Sequence, residues 1–195
     1  MSLLYIQNSK TGSTFLGAWC KKNNIKITYN MCHLSDPDNN FNYKNYYCFS
    51  SVRNPYQRAY SMYVHNRRVT EWLPYLKEVK NFIDYLNFDF SIFYNDKTDH
   101  DKLHFGIHNQ GLYSYLKEKI TLIQHFIKIE NFEKDVDYLN KKFNLVKQKN
   151  VIYNIGTYDK NEIKNLYKSK EIRDLVYNKY KEDFSFFGYD REDYL

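Results

Sequence analysis

The sequence predicts an α/β fold with a mostly parallel central sheet. Three observations lead there. Short β-prone apolar runs alternate with helix-period segments along most of the chain. The first run, Leu3 to Gln7, passes through a polar, glycine-containing turn directly into a helical pattern. With 43% hydrophobic and 19% aromatic side chains, 195 residues hold enough apolar surface to cover a sheet.

The elements follow in order. Residues 13–23 read as a helix with Phe15, Leu16 and Trp19 on its apolar face. Ile25 to Tyr29 alternates briefly and reads as an edge strand, and residues 30–45 are polar, with a turn cluster at Asp36-Pro37-Asp38. Tyr46 to Val52 is aromatic and β-branched, a buried strand. Asn54-Pro55 then opens a helix, with Asn54 as N-cap and Pro55 in the first helical position, running to about Arg68. A second helix is expected over 71–87, an irregular stretch over 88–111 and a short helix over 112–119. Thr121 to Ile129 predicts a central strand, Asn131 to Phe143 a helix, 145–158 a loop and 160–182 a final helix. No repeat or linker interrupts the chain, so one domain over 1–195 is expected.

Composition narrows the classes. The net charge of +6 suits an anionic ligand, an acidic substrate or nucleic acid, but the lysines are spread along the chain rather than gathered in a tail. Cys20, Cys32 and Cys48 are odd in number and lack CxxC spacing, which argues against a disulfide framework or a zinc site. A charged leader with an apolar core is missing at the N-terminus, and no apolar run reaches about 18 residues. A soluble, cytoplasmic protein without a membrane partner is therefore expected.

Leu3-Leu4-Tyr5-Ile6-Gln7-Asn8-Ser9-Lys10-Thr11-Gly12-Ser13-Thr14-Phe15-Leu16 has the strand–turn–helix form that aims backbone N–H groups and a helix N-terminus at a phosphate. Lys10 adds a mobile charge, and Thr11, Ser13 and Thr14 add hydroxyl donors. The nucleotide-triphosphate loop GxxxxGK[ST] is absent, because lysine here precedes the only glycine. The stretch instead resembles the 5′-phosphosulfate loop of sulfotransferases, often PKTGGTSL in the carbohydrate-type members. It departs by Ser9 for proline and Ser13 for the second glycine.

Phe49-Ser50-Ser51-Val52-Arg53-Asn54-Pro55-Tyr56-Gln57-Arg58-Ala59-Tyr60-Ser61-Met62-Tyr63 resembles the same family's 3′-phosphate motif, FxxVRNPxxRxxSxY. Arg53 lies at the C-terminal end of a predicted strand, where ligands bind in open α/β sheets, and a guanidinium can grip a phosphate with two hydrogen bonds. The segment 126–135 is similar to the family's RxENxxxD stretch, with Ile129 in place of the more usual aromatic, and 180–189 is similar to its YxxDFxxFGY ending. The resemblance covers most of the chain. It implies a three-layer, P-loop-like sulfotransferase fold and 3′-phosphoadenosine 5′-phosphosulfate (PAPS) as sulfuryl donor. Lys10, Thr11, Gly12, Ser13 and Thr14 would hold its 5′ end, Arg53 and Ser61 its 3′-phosphate, and 3′,5′-adenosine bisphosphate would be the product.

Sulfuryl transfer needs a cation at the leaving phosphate, a role for Lys10, and a base for the acceptor hydroxyl. His33 lies between the two phosphate motifs, an interval where similar carbohydrate sulfotransferases place a functional histidine, and is the expected base. His108 is the runner-up: His104-Phe105-Gly106-Ile107-His108-Asn109-Gln110 resembles the acceptor-side HxxxQ segment, which makes His104, His108 and Gln110 candidates for binding a saccharide hydroxyl. The histidines and aspartates of 96–108 lack a tight ligand pattern, and the reaction calls for no metal. Two other classes compete. A nucleotide kinase would need GK[ST] and magnesium-binding aspartates. A nucleic-acid-binding module fits the basic, aromatic composition but lacks a recognised motif, so nucleic acid is not an expected partner.

Overall fold

The computed structural model describes residues 1–29, 42–69, 74–93, 105–106, 109–146 and 160–194. Its strands are β1 (Ser2–Gln7), β2 (Lys26–Tyr29), β3 (Tyr46–Val52) and β4 (Ile123–Lys128); α1 (Ser13–Lys22) follows β1. They form one sheet in the order β2-β1-β3-β4, and every pair is parallel. Leu4 pairs with Lys26, Ser2 with Tyr46 and Cys48 with Ile123. The helix-flanked parallel sheet expected from the sequence is therefore present.

The chain divides into two compact units. The first spans 1–53 and 116–155 and holds the whole sheet. Because strand side chains alternate, Leu3, Tyr5, Tyr47 and Phe49 share one face. They pack with Leu16, Trp19 and Cys20 of α1 and with Phe132, Val136 and Leu139 of a later helix, Phe132–Phe143. Phe49 is central: Tyr5 stacks on it at 5.2 Å and Trp19 meets it edge-on at 5.8 Å. Leu4, Ile6, Cys48 and Val52, on the other face, are also fully buried, as parallel strands require. Burial pushes the Cys20 and Cys48 thiols up, which suits packing side chains.

β4 corrects one expectation. The predicted central strand over 121–129 is shorter and lies at the edge of the sheet among the described residues. Its polar alternation explains this, with Ile123 and Ile127 buried and Gln124 exposed.

The second unit spans 54–115 and 156–195 and is helical among the described residues. Its helices are α2 (Pro55–Asn66), α3 (Phe82–Asn87), α4 (Leu112–Leu116), α6 (Lys160–Leu166), α7 (Lys170–Lys179) and α8 (Lys181–Phe187), with Phe132–Phe143 of the first unit counted as α5. Asn54 caps α2 by accepting from Tyr56 N–H at 2.9 Å, with Pro55 at the first position, as the sequence predicts. The core is aromatic, built on Tyr56, Tyr60, Phe82, Tyr85, Tyr167 and Phe184.

Two helix expectations are corrected here. The helix over 71–87 is reduced to α3, because Asn81 and Asp84 form a capping box that starts a helix at Phe82. The helix over 160–182 is split into three. Ser169 accepts from Ile172 N–H and starts α7, and Tyr180 separates α7 from α8. Serine competes for backbone groups inside a helix and satisfies them at its start. No described helix is long and apolar enough to cross a membrane.

Candidate functional site

β1 ends at Gln7, and the next five residues make the candidate loop. Lys10 and Gly12 have positive φ angles of 58° and 72°. Gly12 is the N-cap of α1; its left-handed backbone favours glycine, and a Cβ there would lie 2.7 Å from Ile129 Cδ1, so that side-chain tip would have to move. The first turn of α1 has no acidic residue and no side-chain cap, which leaves the N–H end of a ten-residue helix to an anion. Ser13 is half-buried and Thr14 exposed in that turn.

A buried hydrogen-bond network holds the loop down. Asn8 Nδ2 donates to Ser50 Oγ at 2.8 Å and to the Ser51 carbonyl at 2.9 Å. Ser50 Oγ donates to the Ile6 carbonyl at 2.6 Å. Thr11 Oγ1 donates to the Asn8 carbonyl at 3.1 Å and lies 2.7 Å from Ser51 Oγ, which lies 2.8 Å from Tyr5 Oη. Each hydroxyl has one proton. With Thr11's proton on Asn8, Ser51 donates to Thr11 and Tyr5 donates to Ser51. Burial keeps the Tyr5 phenol protonated, its pKa pushed well up.

Thr11 therefore differs from the expectation that its hydroxyl serves a ligand. That hydroxyl is fully buried in the loop's floor, which leaves Thr11 its backbone N–H for a phosphate. Asn8 Oδ1 and Ser9 Oγ are buried with no hydrogen-bond partner among the described residues. The open helix end and the Ser9 hydroxyl, which can donate, fit an anionic group at this loop, whereas Asn8 Oδ1 can only accept.

The network also joins the two sequence motifs. Ser50 and Ser51 lie on β3, next to β1, and Arg53 follows β3 directly. The Lys10 loop and Arg53 thus both leave the C-terminal ends of neighbouring parallel strands. Both side chains are half-buried. The sequence reading assigned no role to Asn8, Ser50 or Ser51; the available signal was a serine pair inside an otherwise apolar strand.

Ser61 and Gln110 belong to the second unit. Ser61 lies on α2 and is 9% exposed. The Gln110 carbonyl accepts from Arg58 Nη1 at 2.9 Å, and Arg58 is 2% exposed. Asp183 accepts from the N–H groups of Leu112 and Tyr113 at 2.8 and 2.7 Å, beside Gly111. Burial pushes the Asp183 carboxyl up, while Arg58 and the two N–H groups pull it back. Asn109 accepts from Tyr85 Oη and from Asn66 Nδ2 and donates to the Phe105 carbonyl at 2.7 Å. Arg58 and Asp183, visible in sequence only as motif letters, thus brace the backbone from Gln110 to Tyr113.

His33, His104 and His108 lie outside the described residues. Of the other histidines, His125 sits on β4 with its ring stacked on Tyr138 at 4.8 Å, and burial pushes its pKa down. No group of three or more His, Cys, Asp or Glu suited to a metal ion occurs among the described residues.

The model of the sulfotransferase family matches residues 7–190, which takes in the loop, Arg53, α2 and the C-terminal helices. No curated protein and no solved structure matches significantly.

Proposed function

The chain belongs to the sulfotransferase family, and on that premise we propose that it moves a sulfuryl group from PAPS to a hydroxyl of a saccharide. The observation that carries this reading is the loop after β1. There Lys10 and Gly12, both at positive φ, open onto a helix end with neither acid nor side-chain cap.

In the proposed complex the N–H groups of Thr11 to Thr14 and the hydroxyls of Ser13 and Thr14 hold the 5′-phosphosulfate. Arg53 and Ser61 hold the 3′-phosphate. Both units form one sulfotransferase-like domain over 1–195. The acceptor oxygen forms a bond to sulfur as the bond between sulfur and the bridging oxygen of the 5′-phosphate breaks. The acceptor proton passes to His33, with His108 as the alternative base, and His104 and Gln110 face the acceptor. Lys10 meets the charge that grows on the leaving phosphate, where a fixed cation lowers the barrier most.

The test is transfer of labelled sulfate from PAPS to a panel of saccharides. The parent protein should label at least one. His33→Ala should transfer about 10²-fold more slowly with unchanged affinity for 3′,5′-adenosine bisphosphate. Loss of transfer in His108→Ala alone would move the base to the later segment. Phosphoryl transfer from ATP–Mg²⁺ without any sulfuryl transfer from PAPS would overturn the reading.

A further inference from the structure

Because all four strands run the same way, their N-terminal ends form a second rim, roughly 17 Å along β1 from the Lys10 loop. The proposed transfer uses nothing at this rim. Three tyrosines around the start of β3 each hold a lysine over the ring. Lys119 Nζ lies 5.9 Å from the Tyr43 centroid, Lys26 Nζ 5.8 Å from Tyr46, and Lys142 Nζ 4.3 Å from Tyr47. Lys142 also donates to Tyr138 Oη at 3.0 Å.

Helices α1 and α5 run back across the sheet and end at the same rim. The Asn23 side chain accepts from Val146 N–H at 2.8 Å and donates to the Val146 carbonyl at 3.3 Å, tying the two helix ends together. Lys21 and Lys22 stand in the last turn of α1 and Lys141 in the last turn of α5. These three lysines are exposed, as are Lys26, Lys44 and Lys142. Asp137 pairs with Lys141 at 2.8 Å. Two of the exposed large apolar side chains, Tyr138 at 44% and Val146 at 57%, stand among the lysines.

We propose that this rim of lysines, tyrosines and Val146 docks the protein on an anionic lipid bilayer. Lysine is a compact point charge on a long apolar stem, suited to a diffuse sheet of negative charge, with apolar tips at headgroup depth. Discrete phosphates or sulfates of a nucleic acid or glycan favour the planar fork of arginine. The first unit has one arginine, Arg53, and it lies at the opposite rim. Base stacking needs open ring faces, and Tyr43, Tyr46 and Tyr47 already hold lysines on theirs. The inference is independent of the transferase reading. It differs from the expectation of no membrane partner, which rested on the lack of a spanning segment.

Flotation with phosphatidylcholine vesicles, with and without about one-third phosphatidylserine, tests it. The parent protein should float with the anionic vesicles and stay behind with the neutral ones. The triple variant Lys26→Gln, Lys119→Gln, Lys142→Gln should bind about a hundredfold more weakly. A second triple variant, Lys21→Gln, Lys22→Gln, Lys44→Gln, leaves the ring contacts intact and should weaken binding comparably. It decides the matter if the first variant is misfolded by thermal melting. Equal partition onto both vesicles, no flotation, or undiminished binding by the second variant overturns the proposal. So does preferential binding of a single-stranded oligonucleotide at equal phosphate concentration.

Discussion

The first unit carries fourteen Lys and Arg against seven Asp and Glu, whereas the second carries fifteen against sixteen. Their buried polar groups are spent differently as well. In the first unit Asn8, Thr11, Ser50 and Ser51 converge beneath a loop at the C-terminal ends of β1 and β3. In the second, Arg58, Asn66, Asn109 and Asp183 hold segments of backbone to one another inside an aromatic core. One network shapes the loop proposed to receive an anion, and the other keeps helices in place. Damage to the first should show in binding before stability, and damage to the second in stability before binding.

Arg58→Ala should produce the largest loss of stability. It leaves the Gln110 carbonyl without this donor and the buried Asp183 without a nearby cation, at a cost on the order of 3–5 kcal/mol in urea unfolding. A loss below about 1 kcal/mol would mean that the brace is not structural, and the contrast between the units would fail.

Gly12→Ala should cost less stability, about 1–2 kcal/mol from the left-handed backbone, yet weaken 3′,5′-adenosine bisphosphate by more than tenfold. The added Cβ must displace Ile129, which packs against the turn that would receive the phosphate. Calorimetric titration alongside thermal melting separates the two effects. Normal binding with reduced stability would make the loop a structural turn.

The smallest effect sharpens the picture of the second unit. Lys179 Nζ donates to the Leu86 and Phe88 carbonyls at 3.0 and 3.1 Å, and burial pushes its pKa down to about 8, with Asp89 pulling back. Between that value and the unfolded one near 10.4, the folded protein binds fewer protons than the unfolded chain, so this group makes stability rise with pH. The rise amounts to about 1 kcal/mol between pH 8 and 9. The buried Cys20 thiol pulls the other way, so the difference between parent and Lys179→Met is the readout. Parallel pH profiles for the two proteins would show that Lys179 titrates as it does in the unfolded chain.

Local signals made much of the framework legible. Tyr46 to Val52 announces β3 by composition, Asn54-Pro55 announces the start of α2, and Phe132, Val136 and Leu139 mark the buried face of α5. The breaks at Asn81 and Ser169 were missed because a periodic apolar pattern ran across them while a capping side chain restarted the helix. The edge position of β4 is a matter of strand order, which no single segment encodes. At the site, Lys10, Gly12 and Arg53 stand out because their motifs are contiguous. The floor beneath them does not, because Asn8 meets Ser50 and Thr11 meets Ser51 across some forty residues of chain.

The central claim is that this chain reads a nucleotide by its 3′-phosphate as well as its 5′ end. Calorimetric titration of the parent and Arg53→Ala with 3′,5′-adenosine bisphosphate and with adenosine 5′-phosphate tests it directly. The parent should prefer the bisphosphate by about tenfold or more, the worth of a charge-assisted two-point contact, and Arg53→Ala should erase that preference while leaving the monophosphate's affinity nearly unchanged. Equal affinities of the parent for both nucleotides, or an Arg53→Ala variant that keeps the full preference, would contradict it.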